Sequence, residues 1–185
     1  MSGSLGLLHR AITYALDVIP AATPDLLSRP TPCEDWDLRT LLRHANESLT
    51  ALQQGAATGR IGLHATPDDD PSTDPVLTFH ARARRLLEAW TAPGPPARLI
   101  TIEDCPLPAG VTASVGALEI AVHSWDISQA CGQRRPIPRS LATDLLAISP
   151  LLITEATRYP LFAAPITLAP AAGPSDRLIA FLGRG

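Results

Sequence analysis

The chain is 185 residues long, 45% hydrophobic and only 4% aromatic, which fits one domain built on an aliphatic core. A formal net charge of -3 gives no basic footprint for nucleic acid. Cys33, Cys105 and Cys131 are odd in number and far apart, so they suggest neither a disulfide framework nor a CxxC pair; no apolar run of about 18 residues exists to span a membrane, and no apolar segment follows a basic start. The expectation is a cytoplasmic protein, monomeric or homodimeric, with no nucleic-acid or membrane partner.

Apolar spacing predicts a first helix over 4–19, with Leu5, Leu8, Ile12, Ala15 and Ile19 on its buried stripe and His9 beside it. The turn-rich stretch Arg29-Pro30-Thr31-Pro32-Cys33-Glu34-Asp35-Trp36-Asp37 leads into a second helix over 38–57. Asp37 suits its N-cap, and Trp36 is placed to staple onto Leu41. Leu38, Leu41, Leu42, Ala45, Leu49 and Leu52 form the stripe, and His44 falls within it. From Thr58 to Asp74 the chain is rich in Gly, Pro and Asp; this stretch, with His64 and Asp68-Asp69-Asp70-Pro71, reads as a solvated loop. A third helix over 75–90 buries Val76, Phe79, Ala83, Leu86 and Leu87, and Ala92-Pro93-Gly94-Pro95-Pro96 stops it. Arg98 to Pro108 reads as an extended excursion. A fourth helix runs from Thr112 to Ala130 and stops at Gly132. A fifth runs from Ser140 to Tyr159, strongly apolar around Leu145, Leu146, Ile148, Leu151 and Leu152, and a short closing helix lies within 176–184. Four or five helices with few strands predict an all-α bundle.

Chemistry concentrates in the fourth helix, where Glu119, His123 and Asp126 share one face at the edge of an apolar strip of Val115, Leu118, Val122 and Trp125. Ionisable groups facing a bundle interior need a partner or a metal. A Glu and a His one turn apart can grip one ion, and His44 is the best third donor. A His2Glu set leaves a position open, as catalytic zinc sites do, and its N and O donors suit zinc while also accepting iron, nickel or cobalt. Three roles are open to Asp126: holding a ligand in place, serving as a fourth ligand, or pairing with an Arg at the helix end. An isolated Glu-x-x-x-His pair is common, and most face solvent or bond each other, so spacing alone carries little weight. His9 and His80 read as edge residues. No glycine-rich phosphate loop is present, Ser124 and His123 point apart, and nothing in the sequence marks Cys33 or Cys131 as activated.

Two segments resemble a known family. Pro32-Cys33-x-x-Trp36-Asp37-x-Arg39-x-Leu41-Leu42-x-His44 is similar to the opening motif of the mycothiol-dependent maleylpyruvate isomerase N-terminal domain, within the DinB-like superfamily. Glu119-x-x-x-His123-x-Trp125-Asp126 resembles its second motif, and Asp176-Arg177-Leu178 to Gly183-Arg184 resembles the ending of small actinobacterial members. The Arg-, Pro- and Ala-rich composition agrees with such a GC-rich source. The resemblance implies one DinB-like domain over 1–185: a four-helix bundle with a long crossover, an added helix, and a C-terminal extension from about 161. It implies a divalent metal, usually zinc, on His44, Glu119 and His123, with mycothiol as thiol cosubstrate. The implied chemistry is S-transfer to, or isomerisation of, a small electrophile, with Asp126 orienting a ligand or moving a proton. No substantial separate C-terminal domain is expected after the bundle, a departure from the full isomerase that counts against the isomerase reaction. The rival readings are a thiol-independent metallohydrolase or lyase on the same scaffold, and a non-catalytic small-molecule-binding protein.

Overall fold

A computed structural model describes residues 3–33, 35–62, 73–91, 99–159 and 161–185. His64, Asp68-Asp69-Asp70-Pro71, the Ala92 to Pro96 stop and Arg98 lie outside the described residues. The described chain is mostly helical, with α1 (Ser4–Val18), α2 (Leu38–Thr58), α3 (Pro75–Thr91), α4 (Ala109–Ala130), α5 (Arg139–Leu152), α6 (Glu155–Arg158) and α7 (Pro174–Phe181). The expected extended excursion is a hairpin of β2 (Leu99–Ile102) and β3 (Cys105–Pro108), pairing Ile100 with Leu107 and Ile102 with Cys105; the short β1 (Arg60–Ile61) joins β2 in parallel.

The four long helices pack in a ring: α1 on α4, α4 on α2, α2 on α3 and α3 on α1. α4 is the most enclosed. Most of its length is buried, and it has no single apolar stripe because neighbours surround it, as expected for a helix at the centre of a core. Leu41, Leu42 and Leu49 of α2, Phe79, Ala83 and Leu86 of α3, and Ala113, Ala117, Ala121 and Ile127 of α4 fill the shared interior. Gly116 lets α2 come close: a Cβ there would lie 2.6 Å from a methyl of Leu52.

Local signals fix several boundaries. Asp37 accepts the Thr40 backbone N–H at 2.8 Å, capping α2, and that bond, backed by the Thr40 hydroxyl, holds the Asp37 carboxyl below its ordinary range. Gly59 ends α2 in the left-handed region. Three expectations need correction. Leu5 is 48% exposed, because the buried face of α1 centres on Leu8, Ala11, Ile12 and Ala15 and leaves the first-turn leucine to one side. α4 begins at Ala109, three residues before the expected start, directly out of β3. The expected fifth helix is two. Pro150 removes a backbone donor near the end of α5, Ile153 is extended, and Thr154 opens α6 by exchanging side-chain and backbone hydrogen bonds with Thr157. Leu151 is left 80% exposed beside that break.

The C-terminal segment returns to the bundle. Arg158 donates to the carbonyls of Ala163 and Phe181 and lies over the Phe181 ring, while α7 packs on α5. α7 ends in a Schellman turn: Gly183 N–H reaches Ala180 O and Arg184 N–H reaches Ile179 O. Gly183 has φ 76°, and a Cβ there would sit 2.7 Å from the Ala163 backbone. Only glycine fits, and the turn sends Arg184 inward.

Candidate metal centre

Glu119 and His123 stand one turn apart on α4, and His44 meets them from α2. Nε2 of His44 lies 2.7 Å from Oε1 of Glu119, and Nε2 of His123 lies 3.1 Å from the same oxygen. Ser48, one turn beyond His44, donates its hydroxyl to that oxygen at 3.2 Å. The ligand-type atoms of the three residues all lie within 4.8 Å of one another. They line a cavity of about 710 Å³ whose other walls are largely apolar, with Leu118, Val122, Leu152, Ile153 and Phe162 among them. Trp36 closes one side, its ring 4.9 Å from that of His44 and 6.3 Å from that of His123.

A second cluster sits at the other nitrogen of the same imidazole. Nδ1 of His123 lies 3.1 Å from Oδ2 of Asp126, and the Cys33 thiol donates to that oxygen at 3.3 Å. Asp126 is fully buried and does not line the cavity. Nε of Arg184 donates to it at 3.1 and 3.2 Å, and Nη2 of Arg184 lies 3.7 Å from Cys33 Sγ. Asp126 thus lies against Nδ1 of His123 and pairs with Arg184.

The electrostatics follow from burial and neighbours. Burial alone would raise the Glu119 pKa, but the charge of His123, then hydrogen bonds from His123 and His44, hold the carboxyl well below its ordinary range. Burial alone would lower the His123 pKa, but the Glu119 charge, then hydrogen bonding to Asp126, Cys33 and Glu119, raise it well above its ordinary value. With a carboxylate at each nitrogen, the doubly protonated imidazole is favoured in metal-free protein. A raised folded pKa contributes stability that is complete below the unfolded value of 6.5 and is lost as pH rises through the folded value. Glu119 behaves oppositely: its contribution is complete above 4.5 and lost as pH falls through the depressed value. In chelator-treated protein, the urea stability of wild type relative to His123→Gln is therefore expected to hold between pH 4.5 and 6.5 and to shrink toward pH 9. A flat difference across that range would contradict the ionised Glu119–His123 pair.

The donor set fits a divalent ion. Two imidazole nitrogens and a carboxylate oxygen face one cavity with room beside them, the composition of a three-ligand site with an open position. His9 is exposed and His80 half-buried, and neither joins the site. Sequence reading passed over three residues here. Cys33 and Trp36 belong to the Pro32 to His44 motif, which was a usable signal, but Trp36 lies against His44 rather than serving only as a helix staple. Arg184 carries no spacing signal, because 58 residues separate it from Asp126; its one signal is the family-like ending from Asp176 to Arg184.

A mostly helical chain whose two adjoining helices bring His44, Glu119 and His123 to one cavity defines a helical protein with a candidate divalent-metal centre. The chain belongs to the mycothiol maleylpyruvate isomerase N-terminal domain family, whose model matches residues 8–128. That match includes every α2 and α4 residue of the site and ends before Arg184. The chain is also similar to the uncharacterized protein MT0763 of Mycobacterium tuberculosis strain CDC 1551 / Oshkosh, with 27% identity over 165 residues and 86% of each chain covered. The same identity and coverage relate it to the uncharacterized protein Rv0738 of strain ATCC 25618 / H37Rv. No solved structure matches the chain. Among the described residues, no helix is long and apolar enough to cross a membrane.

Proposed function

We propose that the four long helices are a DinB-like bundle serving as a thiol-dependent enzyme, with His44, Glu119 and His123 holding a divalent ion, zinc by preference. The observation that carries this is the convergence of the three donors at an open, largely apolar cavity, in a chain of a mycothiol-linked family. When bound, the ion supplies a Lewis acid that lowers the pKa of a thiol sulfur. The residues of this chain do the rest. Asp126 holds His123 at Nδ1 and so turns Nε2 toward the cavity. Ser48 donates its hydroxyl to the Glu119 carboxylate and fixes it. Leu118, Val122, Leu152, Ile153 and Phe162 exclude water and favour an apolar electrophile. The thiol gives up its proton, its sulfur electron pair forms a new C–S bond, and the electrophile's displaced electrons go to carbon or oxygen, which takes up a proton, or leave with a halide. The adduct is the product in a transfer; in an isomerisation the thiol is expelled after rotation about the former double bond.

The test is turnover of activated alkenes, epoxides and alkyl halides by zinc-loaded protein with and without mycothiol. Consumption that needs mycothiol, and falls at least about 100-fold without it, is the expected result, since removing the nucleophile removes the covalent route. Equal turnover without thiol would replace this reading with metal-assisted hydrolysis.

A further inference from the structure

Two donor sets share the His123 ring. One is His44, Glu119 and Nε2 of His123; the other is Cys33, Asp126 and Nδ1 of His123, whose ligand-type atoms also lie within 4.8 Å of one another. The second set has a composition that a metal could use: a sulfur, an imidazole nitrogen and a carboxylate oxygen. It already holds a cation. Arg184 is 13% exposed, its Nε is within 3.2 Å of both Asp126 oxygens, and its Nη2 points at Cys33 Sγ. We infer that the Arg184 guanidinium is a built-in cation filling a latent second metal site, and that it thereby confines a divalent ion to His44, Glu119 and Nε2 of His123.

Three observations support this. A guanidinium and a divalent ion would be like charges in contact with one buried carboxylate, so the two exclude each other. The planar fork suits a task that requires reaching a carboxylate and a sulfur together. The backbone also delivers this residue on purpose: the Gly183 turn, which no other residue can adopt against Ala163, sets Arg184 at the cavity wall. Arg184 is a positioning residue in this scheme. It fixes Asp126, Asp126 fixes Nδ1 of His123, and the free edge of the ring faces Glu119. The inference rests on the proposed metal role of the first set, but its test separates the two.

The probe is Co²⁺, whose absorption reports sulfur ligation, titrated into wild type, Arg184→Gln, Arg184→Lys, and His44→Ala combined with Arg184→Gln, with helical circular dichroism as the fold check. Wild type is expected to bind one equivalent with no sulfur-to-cobalt charge-transfer band. Arg184→Gln is expected to gain that band and to bind at the first set about 10–100-fold more weakly, the loss typical of removing a supporting partner. Arg184→Lys, which keeps the charge, should suppress the band. The band should persist in the double variant, because it does not depend on His44. A folded Arg184→Gln with no band and wild-type affinity would overturn the inference while leaving the first set intact. No uptake by wild type together with a band in Arg184→Gln would overturn the first set, and with it the confinement of an ion there, while supporting Arg184 as the occupant of the second set. Should Arg184→Gln fail to fold, Cd²⁺ added in excess to a Cys105→Ser, Cys131→Ser protein, whose one thiol is Cys33, decides: one equivalent without sulfur ligation supports the built-in cation, and a second, sulfur-bound equivalent refutes it.

Discussion

Replacing His44 and His123 together with Ala is expected to abolish retention of a divalent metal by protein purified without added metal. Glu119 would remain as a single carboxylate, and one oxygen donor at a cavity wall does not hold zinc against water. Each single replacement should weaken binding by more than the roughly 100-fold that loss of a merely supporting partner causes. Nε2 of His44 is 2.7 Å and Nε2 of His123 is 3.1 Å from the same carboxylate oxygen, so either change also removes a partner of Glu119. Metal analysis of the dialysed variants is the measurement, and stoichiometric metal in the double variant would end the proposal. The pH dependence gives an independent check. Binding must displace the second proton of His123, so apparent affinity should rise by about tenfold per pH unit for the one proton released, below its raised pKa.

Asp126→Ala is expected to be the most damaging single change to the fold within this region. The carboxylate is fully buried and accepts from Arg184, His123 and Cys33 at once. Its removal leaves a largely buried guanidinium without its counter-charge, a situation that costs about 3–5 kcal/mol. Asp126→Asn keeps an oxygen acceptor and should lose less. Replacing both partners, as in Asp126→Leu with Arg184→Met, should recover most of the loss, because a buried pair is costly to break but not to replace. Urea unfolding of chelator-treated protein reads all three. An Asp126→Ala variant within about 0.5 kcal/mol of wild type, the range of an ordinary surface change, would mean that the pair does not hold the C-terminal segment to α4. The same variant separates the two roles expected of Asp126. A positioning role predicts weaker metal binding in the absence of any substrate, which a proton-transfer role does not.

Much of the α2–α4 site could be read before any coordinates. Asp37 as the cap of α2, His44 within its leucine stripe, and Glu119 with His123 one turn apart are local facts, set by the 3.6-residue period and by which side chains can bond backbone groups three residues on. The failures were also local in cause. Leu5 keeps the spacing of the inferred stripe, but the buried face extends the other way, through Leu7, Ala11 and Val18, and leaves Leu5 at its edge. The Pro150 to Thr154 break is hidden in the sequence because an apolar run passes through it.

Periodicity and capping along the chain thus set the helices, most of their inner faces and a carboxylate-imidazole pair wanting a partner. The tertiary structure alone decided who the partners are. α2 packs on α4, so His44 meets Glu119 across a gap of 75 residues. A glycine turn after α7 swings Arg184 onto Asp126, and the Pro-rich loop brings Cys33 to the same oxygen. Such long-range meetings carry no period or spacing in the chain. They arise because the helices bury their apolar faces against one another, and charges carried into that interior need partners there.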